Sequence, residues 1–262
     1  MRNGLALLLI LSLLAPGVGR AEEAAPVYSG ETGDKLIPAE EGEGVAWGLE
    51  ADFVSQYVWR GIALSEGPVL QPSGWLSYQG AIFSVWGNFV LNDEANQGRL
   101  NEVDFTLGYG RRFRDFFVGT LFLFYLYPHQ DVAATGEGSV ILGFQRGPFT
   151  VFTAQLFDMI AAPGAYFGVA GGAFEWELHE KLSMKASAGF AWANAAFNEA
   201  NFEVSKFAAN LFVGNLEFTW TVKGPLYLRP HVKVSVLLDE GLRSSVDEAT
   251  LINGGLAVGV EF

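Results

Sequence analysis

Charged side chains that could do chemistry recur at every second position in several parts of this chain. They include two carboxylate pairs, of the kind used in acid–base catalysis, and one basic run. The set comprises Glu50, Asp52, Glu175, Glu177, Arg229, His231 and Lys233. A spacing of two places side chains on the same face of a β-strand. These groups therefore face a common space if the chain folds as strands.

Catalytic and metal chemistry find little support in the remaining residues. The chain has no cysteine and three histidines, and the cations beside His231 oppose the binding of a metal ion. Ser235 lies four residues further along, too far for a nucleophile–base pair at about 3.3 Å per residue. HExxH and GxSxG motifs are absent from the sequence. We predict no catalytic, cofactor-binding or metal-binding residues; a hydrolase would require His129 or His231 within hydrogen-bond reach of a Ser or Asp.

The composition indicates a membrane protein that does not cross the bilayer with helices. Apolar residues make up 50% of the chain and charged residues only 17%, against about 25% in soluble proteins. No apolar stretch reaches the roughly 18 residues that a transmembrane helix needs. The other structure that satisfies every backbone polar group within lipid is a closed β-barrel.

The first 43 residues differ in character from the rest. Arg2, an apolar segment and a small-residue zone predict a signal peptide at 1–21, cleaved after Ala21. Residues 22–43 carry seven acids against the single Lys35, which predicts a flexible acidic tail. Residues 44–262 form the third predicted segment, a barrel.

From Gly44 onward the sequence alternates with a period of two. In residues 226–238, leucines and valines alternate with Arg229, His231 and Lys233. A barrel in lipid turns such an apolar face outward and the polar face inward, the reverse of a soluble sandwich. This rule predicts twelve antiparallel strands at 45–58, 69–79, 81–91, 101–113, 115–127, 136–146, 148–157, 165–178, 181–193, 206–222, 226–238 and 250–262.

The predicted connections alternate between short turns and longer polar loops. Bacterial outer-membrane barrels have short periplasmic turns and longer extracellular loops, so we predict an up-and-down barrel in the outer membrane. The terminal Phe262, which closes an alternating strand, resembles the signal read by the barrel-assembly machinery. No connection is long enough to be an obvious plug, which favours a hydrated lumen.

The inward face is predicted to line the lumen with acids opposite a basic stripe. This arrangement fits either a hydrated channel or a set of salt bridges that fills a narrow barrel. The same rule also places Gln145 and Gln155 inside. The predicted pore-lining residues are Glu50, Asp52, Gln56, Gln71, Asn88, Glu102, Asp104, Glu175, Glu177, Lys185, Asn215, Glu217, Arg229, His231 and Lys233.

Part of the sequence resembles a known family. The run of residues 55–62, SQYVWRGI, together with Ser65, Pro68 and Gln71, resembles the signature of the TorF family of porins, which are conserved Gram-negative barrels of unknown function. The stretches 86–88 and 102–109 are similar to the next two strands of that family. The resemblance covers about residues 45–110 and implies an outer-membrane porin with no established substrate. It draws attention to Arg60 and Gly61, which we place at the outer rim. Arg60 is expected to fold over the rim and pair with an Asp or Glu in a structural role, and a role in selectivity is the alternative.

These observations predict a porin-like channel for passive diffusion of small hydrophilic solutes or ions. The expected partners are outer-membrane lipid, the barrel-assembly machinery acting on Phe262 and the solutes themselves, with no nucleic acid and no enzymatic activity. A closed structural or surface-interaction barrel without transport is the alternative, and a barrel hydrolase is the third hypothesis.

Overall fold

A closed barrel of twelve antiparallel strands forms the body of the protein. The computed structural model describes residues 44–65, 67–91 and 98–262; the predicted signal peptide and acidic tail lie outside this part. Each barrel strand pairs with the barrel strands before and after it in the chain, and the first, β1 (Val45–Val54), pairs with the last, β14 (Thr250–Glu261), to close the sheet. The predicted fold class, the twelve strands and their antiparallel order are confirmed.

The strand bounds follow the alternating pattern closely. The first predicted strand is the exception, because β1 ends at Val54 and the chain then forms a separate two-stranded hairpin. The barrel strands are β1 (Val45–Val54), β4 (Val69–Tyr78), β5 (Ala81–Val90), β6 (Leu100–Phe113), β7 (Phe116–Leu126), β8 (Thr135–Arg146), β9 (Phe149–Asp158), β10 (Tyr166–His179), β11 (Leu182–Ala193), β12 (Ala208–Lys223), β13 (Leu226–Leu237) and β14 (Thr250–Glu261); the hairpin strands are β2 (Val58–Trp59) and β3 (Ile62–Ala63).

The seam between β1 and β14 is held at the short-turn end by the last residue. Phe262 and Trp47 exchange two backbone hydrogen bonds of 2.9 and 3.0 Å. Their rings stack with centroids 4.4 Å apart. Because every strand edge in the barrel is paired, no backbone edge is left to meet lipid.

The exterior of the barrel is apolar along its strands. Phe113 is 63% exposed and Ile252 is 69% exposed, and Val232, Leu256 and Leu107 are exposed in the same way. Large apolar side chains with such exposed fractions are unfavourable in water and are typical of a barrel wall that faces lipid. The face of β13 and β14 that the sequence assigns to lipid is therefore the outer face of the structure.

Two short helices lie in the longer connections, at what we call the long-loop end. Helix α1 (Ala195–Phe202) is capped by Asn194, whose side chain accepts a hydrogen bond from the amide of Phe197. Helix α2 (Glu240–Ser244) is capped in the same way by Asp239. Within the described residues, no helix is both long and apolar enough to span a bilayer.

Candidate functional site: the inner wall and the Arg60 hairpin

A row of polar side chains runs around the inner wall of the barrel, with no more than one residue from any strand. Glu175 on β10 is paired in register with Lys185 on β11, Lys185 with Glu217 on β12, and Glu217 with His231 on β13. Cross-strand neighbours on one face lie about 5 Å apart, so acids and bases alternate at contact range. We call the polar row the set Glu175, Lys185, Glu217, His231, Asp52, Gln71, Asn88 and Glu102.

The row crosses β14 without a polar residue from that strand. His231 Nε2 lies 2.9 Å from a carboxylate oxygen of Asp52 on β1, although β14 runs between the two strands. The inward residues of β14 are small there, and a Cβ added to Gly255 would lie 2.5 Å from His231 Nε2. Glycine at 255 therefore lets β13 and β1 make contact over the intervening strand.

A second bridge crosses β14 nearer the short-turn end. Arg229 donates to the Glu50 carboxylate, and the hydroxyl of Tyr227 donates to the same oxygen at 2.7 Å. Gly259 leaves the space for Tyr227, since a Cβ at this position would overlap the phenol ring. Glu50 and Asp52 on β1 are thus each paired with a basic residue of β13 over the intervening strand β14.

On the other side of β1 the polar row continues through amides. Asp52 is paired in register with Gln71 on β4, whose side-chain amide donates to Asn88 Oδ1 at 3.0 Å. Asn88 in turn donates to Asn101 Oδ1 at 2.7 Å and is paired in register with Glu102. The row has members on eight of the twelve barrel strands, from β10 round to β6.

The structure places the predicted pore-lining residues as follows. Fourteen of the fifteen lie on barrel strands with their side chains toward the interior, and Gln56 lies beyond the end of β1. Gln155 faces outward, whereas the sequence predicted it to face inward. It is paired in register with Val140 and Gly168 on the outer surface. There it contacts the hydroxyls of Thr153 and Tyr166. Polar and apolar residues mix on both faces of β9, so alternation alone misassigned it.

The first long connection folds into the mouth of the barrel. Strands β2 and β3 pair as a hairpin whose two turn residues are Arg60 (φ 47°) and Gly61 (φ 85°). Two positive φ values in a two-residue turn are the geometry of a type I′ hairpin, and at a non-glycine residue this conformation is strained. We call residues 57–64 the Arg60 hairpin.

Arg60 lies inside the mouth rather than at the predicted rim. Its side chain is 0% exposed, and its guanidinium donates hydrogen bonds of 2.7 and 2.6 Å to the two oxygens of Glu137. Glu137 is on β8, with four strands between it and β1 on one side and six on the other. The hairpin therefore reaches across the barrel to the opposite wall.

Aromatic rings complete the surroundings of this guanidinium. Its central carbon lies 4.5 Å from the centroid of Phe167 on β10 and 5.4 Å from that of Phe197 on α1. The hydroxyl of Tyr125 donates to Glu137 at 2.8 Å. We call the Arg60 pocket the set Tyr125, Glu137, Phe167 and Phe197. It combines a bidentate carboxylate with ring faces, the two kinds of partner that a guanidinium prefers.

An apolar cluster fills the barrel beside the Arg60 pocket. Inward residues of β12 and β13, including Leu211 and Leu237, are fully buried together with Phe197 and Phe202 of α1. A Cβ at Gly61 would lie within about 3 Å of Leu211 and Leu237, so the hairpin packs on this cluster. The lengths of the connections did not predict this packing. A short hairpin, α1 and inward apolar residues together fill part of the barrel at the long-loop end.

The hydrolase hypothesis requires a histidine within hydrogen-bond reach of a Ser or Asp. His231 does reach an acid, Asp52, as that hypothesis required. The buried hydroxyl of Ser235, however, has no hydrogen-bond partner among the described residues. No group of three or more His, Cys, Asp or Glu in the described ranges is arranged to hold a metal ion. His231 and Asp52 are thus within hydrogen-bond distance of each other on the inner wall.

Sequence reasoning missed the residues of the Arg60 pocket. Glu137 is eight positions from Gln145, an even separation on the same predicted strand, so the alternation already assigned it to the inner face. Tyr125 and Phe167 are inward by the same rule. Their convergence on Arg60 had no local signal, because it depends on how the first connection packs.

Comparison with known proteins agrees on the fold. No protein-family profile and no curated protein matches the chain. An outer-membrane channel from Pseudomonas putida F1 superposes with a TM-score of 0.50 at 9% identity, over 90% of this chain and 100% of that one. The NanC porin superposes with a TM-score of 0.50 at 11% identity, over 82% of this chain and 98% of its own. The fold is that of outer-membrane β-barrels.

Proposed function

We propose that the protein is a porin-like channel of the outer membrane for passive diffusion of small hydrophilic solutes or ions. The polar row on the inner wall, enclosed by an apolar exterior, is the observation that carries this proposal. Charged and amide side chains on eight strands supply the interior with polar groups that a hydrated solute could contact. The resemblance of residues 45–110 to the TorF family points in the same direction, as do the two channels of similar fold.

The same proposal assigns the chain its route to the membrane. Residues 1–21 would direct export and be removed, and the strand ending at Phe262 would be read by the barrel-assembly machinery. The apolar outer wall would then meet outer-membrane lipid. Neither enzymatic activity nor nucleic-acid binding belongs to this proposal.

Solute efflux from liposomes tests the proposed transport. Purified, refolded protein is inserted into vesicles loaded with a small neutral solute such as glucose, and release is followed with time. We expect release well above that of protein-free vesicles, and slower release as the solute becomes larger. Vesicles that hold folded protein and release no solute of any size would contradict a channel.

A closed surface-interaction barrel is the second candidate, and one observation favours it. The Arg60 hairpin and the apolar cluster bury the wall at the long-loop end of β8–β13. This candidate expects no efflux from the wild type and none after Arg60→Ala, because the apolar packing would remain. Efflux from either protein would exclude it.

A further inference from the structure

Two further buried acids lie near the carboxyl group of the Arg60 pocket. Glu102 and Asp104 on β6 lie close enough to interact electrostatically with each other, and Asp104 also with Glu137. All three carboxylates are buried, with exposed fractions of 6% or less. Oδ1 of Asp104 is buried and has no hydrogen-bond partner in the described part of the chain. Three buried carboxyl groups thus lie close to one guanidinium, and one of their oxygens has no hydrogen-bond partner among the described residues.

The Arg60 pocket and Arg60 itself belong to different units of the structure. Glu137, Tyr125 and Phe167 belong to the barrel wall, whereas Arg60 belongs to a hairpin that has its own two-residue strands and is not part of the barrel sheet. The wall part of the pocket would persist if the hairpin moved. The backbone of Arg60 is held in a strained left-handed conformation. Release of this strain lowers the free energy needed to move Arg60 out of the pocket.

We propose that the Arg60 pocket is a binding site for solutes that carry a guanidinium group, and that Arg60 occupies it until such a solute displaces it. This inference rests on the proposed channel function and names the class of solute that the mouth selects. Glu137 would hold the solute's planar group through two parallel hydrogen bonds, and Phe167 and Phe197 would cover its faces. An ammonium group has no planar fork and would bind less well.

Calorimetric titration of Arg60→Ala with ethylguanidinium tests the pocket directly. This probe reproduces the end of an arginine side chain, N-ethylurea is its neutral analogue, and ethylammonium carries the charge without the fork. We expect ethylguanidinium to bind Arg60→Ala more tightly than either analogue, and more tightly than it binds the wild type, where Arg60 competes. Arg243→Ala, which removes an exposed arginine at the same end, is the matched control and is expected to behave as the wild type.

Removing the carboxylate decides whether Glu137 is the ligand. In Arg60→Ala/Glu137→Gln, we expect the affinity for ethylguanidinium to fall by at least about tenfold, since a charged hydrogen-bonded pair is lost. Equal binding of ethylguanidinium and N-ethylurea, or no loss on Glu137→Gln, overturns the proposal. If Arg60→Ala does not fold alone, refolding that ethylguanidinium restores and N-ethylurea does not supports it; failure of both to restore folding overturns it.

The two proposals fail in different ways. Binding is measured in detergent and needs no transport. A barrel that binds ethylguanidinium but releases no solute from liposomes therefore supports the proposed binding site and contradicts the proposed channel. A barrel that releases neutral solutes but does not bind ethylguanidinium supports the proposed channel and contradicts the proposed binding site.

Discussion

Arg60 and Glu137 join the first connection of the chain to the opposite wall of the barrel through two hydrogen bonds of 2.7 and 2.6 Å. Neither side chain has the surrounding water that would compensate for loss of the other, because Arg60 is fully buried and Glu137 nearly so. An isolated charge in such a position is costly. The pair therefore fixes the Arg60 hairpin within the mouth.

Removal of either partner should destabilise the folded barrel. We expect Arg60→Ala or Glu137→Gln to lower the free energy of unfolding by about 3 kcal/mol, because a buried, doubly hydrogen-bonded charge pair is broken. The double variant should lose less than the sum of the two single variants. Urea unfolding of refolded protein measures all three, with Arg243→Ala as a control near wild type. Strict additivity would show that the two groups do not interact.

The contact across β14 depends on the absence of a side chain at 255. We expect Gly255→Ala to separate His231 from Asp52, because its Cβ would lie 2.5 Å from His231 Nε2, and to cost about 1–3 kcal/mol through overpacking. Gly44→Ala is the control, since a Cβ there meets no atom within 4 Å. Equal urea midpoints for the two variants would mean that the crossing of β14 does not need glycine.

The cap of α2 should respond to acid. A hydrogen bond from Lys206, with further bonds from the amides of Leu242 and Gly241, holds the pKa of Asp239 below its ordinary value. A carboxyl whose folded pKa lies below the unfolded one stabilises the structure above the unfolded pKa, about 3.9. That contribution is lost as the pH falls through the folded pKa.

Hydrogen exchange at the amides of Gly241 and Leu242 measures this effect. We expect protection of these two amides in the wild type to decrease as the pH falls below about 4, after correction for intrinsic exchange. Asp239→Asn keeps a good helix cap but cannot titrate, so its protection should not change over that range. The same decrease in both proteins would assign the acid response to another group.

The alternation of residues was enough to predict the barrel wall. The inward and outward positions on β13 and β14 follow from a period of two. A shift of the strand by one residue would turn its apolar side chains inward and its polar side chains toward lipid, so only one register is favourable. Gln155 shows the limit of this rule, since both faces of β9 mix polar and apolar residues. At the outer end of a strand, an outward amide meets polar headgroups at little cost.

The mouth could not be predicted in the same way. Alternation extended the first strand to residue 58, whereas the chain leaves the barrel after Val54 and turns inward. The turn at Arg60 and Gly61 is a local signal for a hairpin. Its position is set by contacts with Glu137 and Leu237, which are 77 and more than 170 residues away. Pairings of this separation follow from the closed sheet and not from neighbouring sequence.

Single-channel recording in planar bilayers tests the channel most directly. Purified wild-type protein is added to a bilayer in KCl solution, with Arg60→Ala measured in parallel. We expect discrete current steps from the wild type, and larger steps from Arg60→Ala because the hairpin is no longer held to Glu137. The absence of steps from both proteins at every voltage, with insertion of folded barrels verified, would contradict a conducting barrel.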